Sequence, residues 1–142
     1  MAQVTNYSPT DVLVQHGTSR LSGFGDGDFV TITKREDGIT VIEGADGDAT
    51  ISHNPSSTYN VDITLMEGSS SNDAMSIAYN AQTIAKGRIS VPLTVRDTGG
   101  RDVFISEASW IVKPADMTKS KEAGMRTWSL VAFNGQQFNG GL

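Results

Sequence analysis

The sequence predicts a mainly β protein, an antiparallel β-barrel or two-sheet sandwich with a single flanking α-helix. Three observations carry that expectation. Tyr59, Val61, Ile63 and Leu65 alternate with Asn60, Asp62, Thr64 and Met66, the period of a half-buried strand. Ile89, Val91, Leu93 and Val95 alternate in the same way. Between the two runs, NDAMSIAYNAQTIAKG (Asn72 to Gly87) is the one segment with helical spacing.

Taken in order, the first ten residues are polar and contain Pro9, which predicts an arm held only by a neighbour. Val12 to Gln15 and Arg20 to Phe24 read as short strands joined at Gly17, followed by the turn cluster GFGDGD at 23–28. Phe29 to Arg35 alternates and stops at Glu36-Asp37-Gly38. Asp-Gly is a hairpin signal, so Ile39 to Glu43 is expected to pair back onto that strand. Residues 44–57, GADGDATISHNPSS, are too polar for a core strand, with Ala49 to Ser52 briefly extended at most.

The helix, placed at about 72–86, begins at Ser70, Ser71 and Asn72, whose side-chain oxygens suit free N–H groups. Asp73 favours the positive end of the dipole, and Lys86-Gly87 closes the helix. Ala74, Ile77, Ala78, Ala81, Ile84 and Ala85 form the apolar stripe expected to lie on the sheet. In the strand at 89–95, Pro92 marks an edge or a bulge. The DTGGRD turn at 97–102 leads to a strand over 103–112, ended by Pro114, and Arg126 to Phe133 is the last strand. The ending NGQQFNGGL is expected to be flexible.

One domain, 1–142, is expected from the length. The chain has no cysteine, so it has no disulfide framework and no cysteine-based zinc site. Its opening residues show neither a basic region nor an apolar run, and no stretch suits a bilayer span; a soluble, unsecreted chain without membrane insertion is expected. A net charge of -5 opposes phosphate binding. The charge is uneven: residues 1–80 carry 11 acidic against 3 basic side chains, and residues 81–142 carry 5 against 8. Such a chain is able to attract copies of itself head to tail.

Catalytic chemistry finds little support. His16 and His53 stand in turn-like segments without a nucleophile or metal-ligand spacing and read as surface residues. An enzyme would have to bring one of them beside Asp26 or Glu107. Asp26-Gly27-Asp28 and Asp46-Gly47-Asp48 offer oxygen ligands but lack the longer calcium-loop spacing, so they read as turns and no metal or cofactor is expected. Trp110 and Trp128 read as packing residues. A ligand-binding β-barrel, small-molecule or carbohydrate, would recruit them with Tyr59. The polar faces of the strands, Asn60, Asp62 and Thr64 above all, carry short neutral or acidic groups suited to a wet channel that does not grip a polyanion.

The order of these elements resembles the bacteriophage tail tube proteins of contractile-tailed phages. The resemblance rests on the DGD-flanked segment 29–43, the long loop 44–58, TYNVDITLMEGSSSNDA leading into one helix, and WIVKPAD followed by RTWSLVAFNG. It implies a virion structural protein, not an enzyme, whose copies close into hexameric rings. The rings stack helically into a hollow tube that passes DNA without specific binding. Arm 1–10, loop 44–58 (Asp46, Asp48, His53, Asn54, Pro55) and tail 134–142 would then be subunit and ring contacts, with Asn60, Asp62 and Thr64 facing the lumen. Tail sheath, baseplate hub, tape-measure and tail terminator proteins are the implied partners, with assembly in the host cytoplasm. Tubes of bacterial contractile injection systems share the general fold.

Overall fold

In the computed structural model, which describes residues 2–141, a single eight-stranded antiparallel sheet folds over one core. A single 3-10 turn at Pro9–Asp11 precedes β1 (Val12–His16) and β2 (Ser19–Leu21). Then come β3 (Val30–Lys34), β4 (Ile39–Glu43), β5 (Ala49–His53) and β6 (Tyr59–Met66). After helix α1 (Ser71–Ile84) follow β7 (Val91–Asp97), β8 (Val103–Lys113), β9 (Met125–Phe133) and β10 (Gln136–Phe138). The sheet order is β2-β1-β7-β8-β9-β6-β3, with β10 continuing the line of β9 along β8 past a kink at Asn134, whose φ is 52°. The sheet is a sandwich in form: its two ends, β2 and β3, do not pair with each other to close a barrel.

Alternation decides what is buried. Along β6, Tyr59, Val61, Ile63 and Leu65 point inward and Asn60, Asp62 and Met66 outward, as the period of two requires. Val14, Leu21, Leu93, Phe104, Ile111, Trp128 and Leu130 complete the core from the other strands. Phe24 crosses the open side by bridging to Leu65 and stacks on Phe29, with ring centroids 4.7 Å apart. Pro92 sits at a register shift between Val91 and Leu93, the bulge its missing N–H predicts.

Some sequence expectations about strand pairing and the tail are corrected. Ile39 to Glu43 does not pair with the strand before it: β3 pairs with β6, setting Ile32 against Val61 and Val30 against Ile63, and β4 pairs with β5 instead. Burial of the β3 side chains outweighs the local Asp-Gly signal. Within 44–57 the briefly extended Ala49 to Ser52 is β5, one residue longer and exposed as expected of a non-core strand, and Gly47, at φ 92°, makes the turn before it. The tail is not free either, because Gln136, Gln137 and Phe138 pair with β8.

The helix is rotated from the face its alanines predicted: Ala78 of that stripe packs against the core, but the rest of the buried side is different. Ser71, Asn72, Met75 and Gln82 are buried, whereas Ile77 and Ile84 are 70% and 84% exposed. Backbone demand explains it. β7 ends opposite Ser109, so Ile111 on β8 loses a strand partner on that side. Gln82 supplies both bonds: the Ile111 N–H donates to Gln82 Oε1 at 3.1 Å, and Gln82 Nε2 donates to Ile111 O at 3.4 Å. At the other end, Asn72 Nδ2 donates to Met66 O at 2.9 Å and Asn72 Oδ1 accepts from Trp128 Nε1 at 3.0 Å. Ser70, at the cap position, makes no side-chain cap bond. Gln82→Leu leaves the Ile111 groups buried and unpaired, and a loss of about 1–3 kcal/mol in urea unfolding is expected; an unchanged midpoint would show that water reaches them.

His16, read from sequence as a surface residue, is 4% exposed, and its Nε2 has no partner among the described residues. Burial pushes its imidazole below the ordinary value near 6.5. The unfolded chain therefore takes up a proton that the folded chain refuses. Stability from this site is complete above about pH 6.5 and is lost as pH falls from there through the lowered folded value. Urea midpoints at pH 7.5 and 5.5 should differ for the wild type and converge for His16→Gln; equal wild-type midpoints would contradict this.

Candidate functional site: a polar sheet face and a projecting hairpin

β9, β6 and β3 lie side by side and present one outward face. Register places Thr33 opposite Asn60, and Thr31 opposite Asp62, which in turn faces Ser129. Thr64 pairs with Thr127, their hydroxyls 3.1 Å apart. Asn60 and Asp62 are exposed and Thr64 is half-buried. The three residues read from sequence as a channel surface thus share one face, on which Asp62 is the one carboxylate among threonine and serine hydroxyls and the Asn60 amide, with Val131 beside Asn60 and the exposed Met66 and Met125 at one end. The face is hydrophilic, with little charge with which to hold a polyanion.

The second feature is the β4–β5 hairpin. All ten of its strand residues are exposed, and it forms a sheet of its own. Ile39, Val41 and Ile51 share a face, with Val41 directly opposite Ile51. They are 62%, 56% and 68% exposed. An isolated two-stranded ribbon is marginally stable in water, and an apolar face of this kind is a contact surface. Asp46 and Asp48 stand at the tip, where Asp46 Oδ1 accepts the Asp48 N–H at 3.3 Å. His53 lies at the base opposite Ile39. Asn54 is anchored there, its Nδ2 donating to Glu36 Oε2 at 2.7 Å and its N–H to Gly38 O at 2.8 Å, and Pro55 beyond it is exposed. The apolar residues of this hairpin, rather than its acidic tip alone, are what the sequence reading passed over. Their alternation at 39, 41 and 51 was the available signal.

At the opposite end of β6, Glu67 gathers three donors. It accepts Gly124 N–H at 2.8 Å and pairs with Lys119 at 3.3 Å and Arg126 at 3.5 Å. The Gly124 backbone bond, then the lysine, holds its carboxyl below the ordinary range. This ties the irregular segment between β8 and β9 to the sandwich.

His16 is buried, His53 projects on the hairpin, and among the described residues no three histidine or acidic side chains gather as a metal site would require. The chain belongs to the bacteriophage PhiTE tail tube protein family, whose profile matches residues 4–140. That family is one of structural tail proteins and not of enzymes.

Relatives agree. The chain is 23% identical over 146 residues to structural protein ORF10 of Pseudomonas phage KPP10, covering 98% of this chain and 84% of that one. Among solved structures, the fold matches a chain of the anti-feeding prophage cap with a TM-score of 0.61 at 12% identity, over 97% of this chain and 94% of that one. It matches a chain of the native gene transfer agent particle equally well, at 7% identity, over 94% and 100% of the two chains. The sheath-tube complex of an extracellular contractile injection system contains another, with a TM-score of 0.55 at 11% identity, over 94% and 91%.

Proposed function

We propose that copies of this chain close into hexameric rings and stack into the hollow tail tube through which phage DNA leaves the virion. The projecting hairpin is the observation that carries this reading. Its apolar face has no cover among the described residues, and a neighbouring copy supplies one without any new fold. The unpaired edges of β2 and β3 are the natural junctions between subunits, since ring closure removes edges that would otherwise invite aggregation. Asn60, Asp62 and Thr64 line the lumen, while arm, hairpin and tail bridge subunits and rings. The sheath of a contractile tail meets the outer surface, and terminator, tape-measure and baseplate hub proteins meet the ends and interior. Assembly takes place in the host cytoplasm.

Membership of a phage tail family favours a DNA conduit over effector delivery. Native mass spectrometry tests the ring directly: the expected species has six times the 15.1 kDa chain mass. A series of dimers and trimers with no sixfold species would contradict it. For the lumen, Asp62→Lys places a ring of cations against the passing phosphates. Virions carrying it should assemble normally and release DNA more slowly at low than at high salt. Release unaffected at every salt concentration would place Asp62 off the DNA path.

A further inference from the structure

Two Asn-Gly steps stand near the end of the chain, Asn134-Gly135 and Asn139-Gly140. Asparagine before glycine is a labile pair, because no side chain on the glycine shields its main-chain nitrogen from the asparagine carbonyl. Sequence treats the two steps alike. Exposure does not separate them either, since both asparagines reach water. Main-chain hydrogen bonding does.

Asn134 forms the kink between β9 and β10, with φ at 52°. Both sides of that kink are pinned. Phe133 O accepts the Ser106 hydroxyl at 2.6 Å, and the Gly135 N–H donates to Ser57 O at 3.0 Å. Gly135 also lies against the Tyr59 ring, where even a Cβ would collide. Its nitrogen cannot turn toward the Asn134 side chain unless the sheet opens there.

Asn139 comes immediately after β10. The Gly140 N–H has no acceptor among the described residues, and the next main-chain tie is the Arg101 N–H donating to Gly141 O at 3.2 Å. Asn139 Oδ1 accepts Gln137 Nε2 at 3.2 Å. That donor sits where negative charge grows when the side-chain carbonyl is attacked. Nucleophile and carbonyl are neighbours in the chain, unshielded, with the oxygen already hydrogen-bonded.

We propose that Asn139 is a self-modifying site of the free subunit, and that its conversion removes the subunit from assembly. The Gly140 main-chain nitrogen bonds to Asn139 Cγ, the Cγ–Nδ2 bond breaks, and ammonia leaves with the Gly140 proton. Water then opens the cyclic imide at either carbonyl, leaving aspartate or isoaspartate. Water is the only co-reactant. The effect on assembly rests on the tube reading, in which the tail bridges copies. A carboxylate costs more to desolvate than the amide it replaces, and isoaspartate adds a main-chain atom to the contact. Assembled subunits, their tails covered, are protected from the reaction.

Peptide mass spectrometry on monomer held at neutral pH should find Asn139 converting at least about tenfold faster than Asn134, with aspartate and isoaspartate both formed. In urea the two rates should approach each other. Equal rates in the folded monomer, or no conversion at Asn139 while a free peptide of residues 132–142 converts, would overturn the site. Polymer grown from a partly converted pool should be enriched in intact Asn139 relative to the monomer left behind. Asn139→Asp should raise the concentration needed for polymer by about tenfold, with Asn139→Gln near wild type. Equal conversion in polymer and leftover monomer would overturn the effect on assembly while the tube stands. No polymer from fresh wild type, even on a purified baseplate, would overturn the tube reading itself.

Discussion

Excising residues 39–53 is expected to abolish polymers and leave a folded sandwich. The cut is conservative because the Asn54 N–H donates to Gly38 O at 2.8 Å, so the two ends already touch and a Gly-Ser joint closes them. None of the removed residues belongs to the core, and β4 and β5 pair only with each other. The excised variant should keep its β-type circular dichroism and its urea midpoint, and sediment as a monomer at concentrations where the wild type forms tubes. Val41→Asp with Ile51→Asp should act in the same direction, since two carboxylates cannot be buried against a neighbour without partners. Polymers of normal length from either variant would remove the hairpin from the assembly.

The largest effect on the monomer is expected at Trp128. It is 3% exposed at the centre of β9, and its indole N–H bonds Asn72 at the start of α1. Trp128→Ala opens a cavity and should cost about 3–5 kcal/mol, a large share of the ~5–15 kcal/mol that holds a domain together. Trp128→Phe keeps most of the volume but leaves Asn72 Oδ1 without its donor, and should cost about 1–3 kcal/mol. Denaturant midpoints should therefore fall in the order wild type, Phe, Ala. Equal midpoints for Phe and Ala would mean that the bond to Asn72, and not the packing, carries the residue's contribution.

Trp128 reads as a packing residue in sequence and structure alike, whereas the hairpin is a place where the two differ. β6 was legible to the residue because its partners bury one face and leave the other exposed, so alternation survives intact. The helix was legible in position and not in orientation. Ile77, Ala81 and Ile84 make the better apolar stripe, yet the sheet takes Met75 and Gln82, because β8 needs hydrogen bonds where β7 ends. A wheel of hydropathies does not register that need. The hairpin failed for a related reason. Asp37-Gly38 signals a turn correctly, but a turn does not choose its partner, and β6 offers β3 a buried face that β4 does not. Asn60, Asp62 and Thr64 were legible as one face because a strand's period of two fixes it.

The central claim, a hollow tube lined by the outward face of β6, is tested most directly by cryo-electron microscopy of the polymerised protein. The expected reconstruction is a stack of sixfold rings with Asn60, Asp62 and Thr64 on the channel wall and the hairpin packed against a neighbouring copy. A solid fibre, or a tube with that face turned outward, would contradict the account.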